Sequence, residues 1–151
     1  MRLQSAVFDG TELLTDAAGA WKPGVEEALA LLKIEGVWMY LVTELERHQA
    51  EELLAPETLG KYLRGVVSAQ ETGTDRTDPV LYDKAIRRLR TVRDTTVVFT
   101  GRMETVRRLK EAGLQVVAVT GEMTDADARE AQDLANQCVK DLTEFTRRQA
   151  K

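Results

Sequence analysis

An α/β fold, three layers deep around a mainly parallel sheet, is what this chain of 151 residues predicts. Three observations carry the prediction. Short apolar runs alternate along the chain with longer segments whose apolar residues recur at helical spacing. The connections between runs are long enough for right-handed parallel crossovers. Several runs also stop abruptly at a polar residue, namely Asp9, Thr43, Thr100 and Thr120. In open parallel sheets, ligands bind outside the carboxyl ends of the strands.

Ser5 to Phe8 reads as a short buried strand stopped at Asp9. Pro23-Gly24 opens a helix, with Pro at or near its first position. Val25, Ala28, Leu29 and Leu32 give that helix one apolar face, and Gly36 closes it as a left-handed cap. Val37 to Val42 is an unbroken apolar run, the pattern of a strand covered on both faces. Glu44 to Leu54 has helical spacing, Pro56 breaks it, and Glu57 to Leu63 reads as a further short helix. Gly65 leads into a strand at Val66-Val67-Ser68. A polar loop then reaches Asp78-Pro79, where Asp as N-cap and Pro in the first turn start a helix running to about Arg90. Thr96 to Phe99 is a strand, and Met103, Val106 and Leu109 stripe the helix that Gly113 closes. Leu114 to Val119 is a strand. Thr124 to Asp127 resembles a capping box and starts a helix to about Asn136. Gln137 to Lys140 forms a last short strand, and Asp141 to Arg148 a terminal helix. No repeat, low-complexity stretch or linker interrupts this order, so a single domain over 1–151 is expected.

Composition bounds the function. The chain is 43% hydrophobic and 30% charged, as a folded protein should be. A net charge of -4 without a basic cluster argues against nucleic acid as a partner. No apolar run approaches bilayer length and no secretory leader is evident, so neither membrane insertion nor secretion is expected. The single cysteine, Cys138, has no internal disulfide partner, and a cytoplasmic location is the expectation. One His and one Cys argue against a zinc site of the usual ligand set. His48 stands among charged residues and reads as a surface side chain, Cys138 as a small core residue, and Trp21 and Trp38 as packing residues. Neither a GxGxxG nor a GxxxxGK[ST] motif is present. One carboxylate among three strand-end hydroxyls suits an anion or phosphate pocket better than a redox cofactor.

Several segments carry a resemblance when taken together. Ala6-Val7-Phe8-Asp9-Gly10-Thr11, with Leu13-Leu14 and Asp16, is similar to an apolar strand followed by DxDGT. Trp21-Lys22-Pro23-Gly24-Val25 heads a helix, and Leu41-Val42-Thr43 is a strand ending in a hydroxyl. Thr77-Asp78-Pro79 with Tyr82 resembles a KPxP-type motif, with Arg76 in the place of the Lys. Val97-Val98-Phe99 supplies the strand of the fourth motif, and the run from Leu109 to Val119 resembles the segment after it. In this order the set resembles the haloacid dehalogenase-like superfamily of hydrolases, most of which are phosphatases.

That resemblance implies a definite chemistry. A nucleophilic Asp takes the phosphoryl group, and a second Asp two residues on serves as general acid and base. A Lys or Arg and a Ser or Thr hold the phosphate, while acids after the fourth strand hold magnesium together with the nucleophile. Mapped onto this chain, Asp9 is the candidate nucleophile, and Thr43, Arg76 and the backbone at Gly10 are the candidate phosphate-binding groups. Asp9 and Glu122 would serve as metal ligands only if the protein is active, and magnesium is expected only in that case.

The motifs are also incomplete. Only one carboxylate precedes Gly10-Thr11. If two residues are missing, Asp9 is the nucleophile and the acid-base Asp is absent. If none is missing, Asp9 is the acid-base residue and Val7 stands at the nucleophile position. The first alignment gives the better strand. After the fourth strand the chain has Thr100-Gly101-Arg102 where the family has acids. The stretch between Thr11 and Pro23 has no room for a cap domain, and the second insertion point, after the helices that follow the second motif, also reads as empty. The expectation is therefore a capless, catalytically impaired phosphatase fold that acts by binding or assembly with an unknown protein partner or with itself. The alternative is an active capless magnesium-dependent phosphatase using Asp9. A receiver-type signalling domain is a third class, and it would need acids where Ser68-Ala69 stands and a Lys where Thr120-Gly121 stands.

Overall fold

A computed structural model describes residues 3–149. Six strands form one sheet, with every pair parallel: β1 (Ser5–Asp9), β2 (Trp38–Thr43), β3 (Leu63–Ser68), β4 (Thr96–Thr100), β5 (Val116–Val119) and β6 (Gln137–Val139). Their order across the sheet is β3-β2-β1-β4-β5-β6. The helices between them are α1 (Val25–Ile34), α2 (Arg47–Glu52), α3 (Pro79–Leu89), α4 (Met103–Glu111), α5 (Asp125–Leu134) and α6 (Leu142–Gln149). This is the Rossmann-like α/β/α sandwich that the alternating pattern predicts.

The strand pleat sorts the core into two layers, because successive side chains point to opposite faces. Ala6 and Phe8, Met39 and Leu41, and Val97 and Phe99 pack with Leu29 and Leu32 of α1 and Phe145 of α6. Val7, Tyr40, Val42 and Val98 pack on the other face with Leu81, Tyr82 and Ile86 of α3 and Val106 and Leu109 of α4. Phe99 links two aromatic neighbours in the first layer. It stacks on Phe8 with ring centroids 5.2 Å apart and meets Phe145 edge-on at 4.8 Å.

Several boundaries differ from the sequence reading, each for a local reason. The first long helix begins at Val25 rather than Pro23. Gly24 is its N-cap at φ 78°, a left-handed turn, and a Cβ there would lie 2.2 Å from Thr143 Oγ1. The helix expected over Glu44 to Leu54 shortens to α2, where the Glu46 side chain accepts from the His48 N–H at 2.9 Å. Only a 3-10 turn, Leu59–Lys61, forms where a second short helix was expected. β3 starts at Leu63, ahead of Gly65, because its pairing with β2 begins at Leu63 and Met39. Asp78 caps α3 by accepting from the Val80 N–H at 3.0 Å, and Thr124 caps α5 by accepting from the Asp127 N–H at 3.1 Å. Trp38 is 41% exposed rather than packed inside. It opens β2 at the rim of the sheet, where the Arg64 guanidinium lies 4.1 Å from its ring. Cys138 is half-buried, and burial pushes its thiol up from the usual range.

The connection from β1 to α1 is closed on itself. Asp16 accepts from the N–H groups of Ala18 (2.9 Å) and Ala20 (3.0 Å), and Thr15 bridges Trp21. Neither this connection nor the one between β2 and β3 holds an inserted domain. Among the described residues, no helix is long and apolar enough to cross a membrane.

Phe99 is fully buried between Phe8 and Phe145 in the α1/α6 layer. Phe99→Ala is expected to cost about 3–5 kcal/mol, from lost transfer energy plus the cavity left behind. Urea unfolding with a preserved m-value would measure it.

Candidate functional site

The site begins at the point where the strand order reverses. From β1 the chain moves outward through β2 to β3, then returns to place β4 on the other side of β1. The carboxyl ends of β1 and β4 therefore flank the crevice in which open α/β sheets bind ligands. Asp9 ends β1 and Thr100 ends β4. The pleat aligns Asp9 with Val7 and Thr100 with Val98, so both polar residues rise from the α3/α4 face. The Thr100 hydroxyl donates to Asp9 Oδ2 at 2.7 Å, and it accepts from the Arg102 N–H at 3.1 Å.

Arg76 reaches Asp9 from the loop before α3. Its Nε lies 2.6 Å from Asp9 Oδ1, an ion pair made by contact rather than by a hydrogen bond aimed along the N–H. Asp9 is 0% exposed and Arg76 is 7% exposed. The loop that delivers Arg76 is fixed on both sides. Asp75 accepts from the Thr77 N–H at 2.8 Å and from the Thr77 hydroxyl, and Arg108 donates to the Thr77 hydroxyl at 2.7 Å. These Thr77 bonds hold the Asp75 carboxyl below the usual carboxylate range. The Tyr82 hydroxyl donates to the Arg76 carbonyl at 2.8 Å. Burial, followed by the nearby Asp9 charge, pushes that phenol well above its usual range.

Two further carboxylates meet the same guanidinium. Glu12 accepts from Arg76 Nη1 at 3.2 Å and from Nη2, and Glu44 Oε1 lies 3.3 Å from Nη1. Burial works against the Arg76 charge, but Asp9, Glu12 and Glu44 more than offset it and raise its pKa. Glu44 also contacts Arg102 at 3.5 Å, and Arg102 in turn contacts Glu104 at 3.7 Å. Sequence reasoning did not find Glu12 or Glu44. The available signal was weak: two acids, each within three residues of a strand-end polar group, and one arginine to receive them.

Other sequence candidates fall elsewhere. The Thr43 hydroxyl accepts from the Leu45 N–H at 3.2 Å, and among the described residues no hydrogen bond joins it to Asp9 or Arg76. Thr43 is in step with Met39 and Leu41, which face the opposite layer. The Gly10 N–H is already committed, donating to the Val42 carbonyl at 2.9 Å, so it is not free to hold a phosphate. Glu122 makes an exposed pair with Lys22 at 3.4 Å. It lines a groove of about 360 Å³ with Leu13, Pro23, Val25, Val119 and Leu142, which Glu12 and Arg102 border and Asp9 and Arg76 do not line.

Comparison with known proteins agrees with this architecture. No family model matches the chain. Over 107 residues, 70% of this chain, it is 30% identical to a phosphorylated carbohydrates phosphatase of Thermotoga maritima. The chain spans about half the length of that relative, 50%. Among solved structures, a candidate beta-phosphoglucomutase from Thermotoga maritima superposes with a TM-score of 0.70 at 27% identity, over 86% of this chain and 60% of its own. A haloacid dehalogenase-like protein of unknown function from Agrobacterium tumefaciens gives 0.68 at 20% identity, over 85% and 59%. The chain belongs to the haloacid dehalogenase-like superfamily.

Membership in a superfamily whose fold is tied to magnesium raises the question of whether the residues here fit that ion. They do not. Magnesium keeps near-octahedral oxygen ligands and draws one or two carboxylates from the protein. Asp9 is in contact with a guanidinium on one oxygen and accepts a hydroxyl on the other. The ends of β2, β3 and β4 offer the hydroxyls of Thr43, Ser68 and Thr100. Past β4, Gly101 has no side chain, and Thr105 is a buried hydroxyl. Among the described residues no three His, Cys, Asp or Glu side chains converge as a metal set.

The Asp9–Arg76 contact should act as a structural unit. Arg76→Met, which leaves Asp9 buried without its cation, is expected to destabilise the protein by about 3–5 kcal/mol. Adding Asp9→Asn should recover part of that loss, with a coupling of about 1–3 kcal/mol in a double-mutant cycle read by urea unfolding.

Proposed function

We propose that this haloacid dehalogenase-like protein does not run phosphoryl transfer and acts instead by binding a protein partner or a second copy of itself. One observation carries the reading. The carboxylate at the nucleophile position, Asp9, has 0% exposure and both oxygens engaged, by Arg76 Nε at 2.6 Å and by the Thr100 hydroxyl at 2.7 Å. In-line attack on phosphorus needs a carboxylate oxygen free to approach within about 3–3.5 Å of the reacting atom.

The surroundings support the same reading. Asp9 is the last residue of β1, and two residues on stands Thr11, the first residue of a 3-10 turn. A threonine hydroxyl does not supply a proton to a leaving group at neutral pH as a tuned carboxylic acid does. Losing one member of such an acid-base unit commonly costs several orders of magnitude in rate. With Glu12 in place, a phosphate dianion would meet three carboxylates, Asp9, Glu12 and Glu44, around Arg76. Ile34 (80% exposed), Trp38 (41%) and Val92 (58%) lie toward the amino ends of the strands, away from this cluster, and offer apolar surface for association.

The relative's name, a phosphatase of phosphorylated carbohydrates, supports a second reading, an active phosphatase, for which the family resemblance would supply magnesium and Asp9 as nucleophile. Hydrolysis of p-nitrophenyl phosphate separates the two. The binding reading expects the wild type to match Asp9→Asn, with no dependence on magnesium concentration. Magnesium-dependent turnover that Asp9→Asn abolishes would establish the phosphatase instead.

A further inference from the structure

We propose that Glu12 is a built-in ligand that closes the anion-binding fork of Arg76, and that a phosphoryl oxyanion gains access only when Glu12 swings away. The inference rests on the sequence-based expectation that Arg76 is a phosphate-binding group, and not on the absence of catalysis proposed above. The guanidinium is divided between two tasks. Its Nε faces the fully buried Asp9, while Nη1 and Nη2, the parallel pair that recognises carboxylate or phosphate oxygens, both face Glu12. The two acids differ in freedom. The Asp9 side chain is 0% exposed, and the Glu12 side chain is 51% exposed, so solvent and ligands reach the second and not the first.

The backbone around Glu12 is arranged for this contact. Gly10 stands at φ 91°, where an L side chain is strained, and a Cβ there would lie 2.3 Å from Glu12 Oε2 and 2.6 Å from Arg76 Nη1. The missing side chain is therefore what lets Glu12 reach over β1 to the arginine. Lys22 Nζ donates to the Glu12 carbonyl, which anchors the main chain of the Thr11–Leu13 turn, while among the described residues the carboxylate is held by Arg76 alone. With the fork vacated, an oxyanion would meet Arg76 at the place where a carboxylate already fits. Glu44, 3.3 Å from Nη1, is shared with Arg102 and would remain at the rim.

Inorganic phosphate titrated into the full chain tests this, with binding monitored by nuclear magnetic resonance of the Arg76 Nε–Hε group and by calorimetry. Glu12→Gln keeps the size of the side chain and removes its charge; Glu12→Ala removes both. Either variant should bind phosphate at least roughly tenfold more tightly than the wild type, since a charge-assisted bidentate competitor is gone. The Arg76 resonance should move on binding. Variants that bind no tighter than the wild type, or tighter binding that leaves the Arg76 resonance in place, would overturn the proposal. Failure of both variants to fold would overturn it too, because Glu12 would then be a brace rather than a displaceable ligand. Turnover in the same samples keeps the two proposals apart. Tighter binding with magnesium-dependent turnover would defeat the loss of catalysis and leave the Glu12 closure standing. No tightening and no turnover would defeat the closure alone.

Discussion

The structure at the carboxyl end of the sheet depends on one buried ion pair. Asp9 has no solvent to stabilise it, and an uncompensated charge in that position is strongly destabilising. Arg76 answers that charge at 2.6 Å and Thr100 supplies a hydrogen bond to the other oxygen. Much of the neighbouring structure serves to hold Arg76 in place. The Asp75–Thr77–Arg108 contacts, the Asp78 cap on α3 and the Tyr82 hydroxyl on the Arg76 carbonyl all fix the loop that presents the guanidinium.

The same pair accounts for what the fold does with its inherited crevice. A doubly wound sheet places a polar cavity between the ends of β1 and β4 whatever the sequence does there. In this member the cavity is occupied by protein groups. Asp9, Glu12 and Glu44 surround one arginine, and Gly10 makes the room in which Glu12 does so. The proposed loss of phosphoryl transfer turns on the direction of the charge balance. A phosphatase assembles cations around an incoming dianion, whereas here three carboxylates already meet the one guanidinium.

Much of this was legible in the sequence. Strand-helix alternation gave the sandwich, and the abrupt ends of apolar runs gave Asp9 and Thr100 as residues at the mouth of the sheet. Asp78-Pro79 located the start of α3 and so the position of Arg76. What the sequence did not show depends on parity and on loop paths. Thr43 ends its strand in step with Met39 and Leu41 and so belongs to the other layer, a distinction that the hydroxyl alone does not reveal. Gly10 looked like a phosphate-facing amide, yet its N–H closes onto Val42. Glu12 and Glu44 became partners of Arg76 through contacts spanning long stretches of chain, which no local pattern encodes. Gly24, in a left-handed turn against Thr143, delayed the first helix past the proline expected to open it.

In the proposed reading, Asp9 is held by Arg76 and Thr100 and has no oxygen free to reach phosphorus. A crystal structure of the full chain grown with magnesium and beryllium fluoride, a mimic of the phosphoryl group, tests it most directly. Asp9 is expected to keep both contacts and to carry no adduct. A trifluoroberyllate bonded to an Asp9 oxygen, with magnesium beside it and Arg76 displaced onto the fluorines, would contradict it.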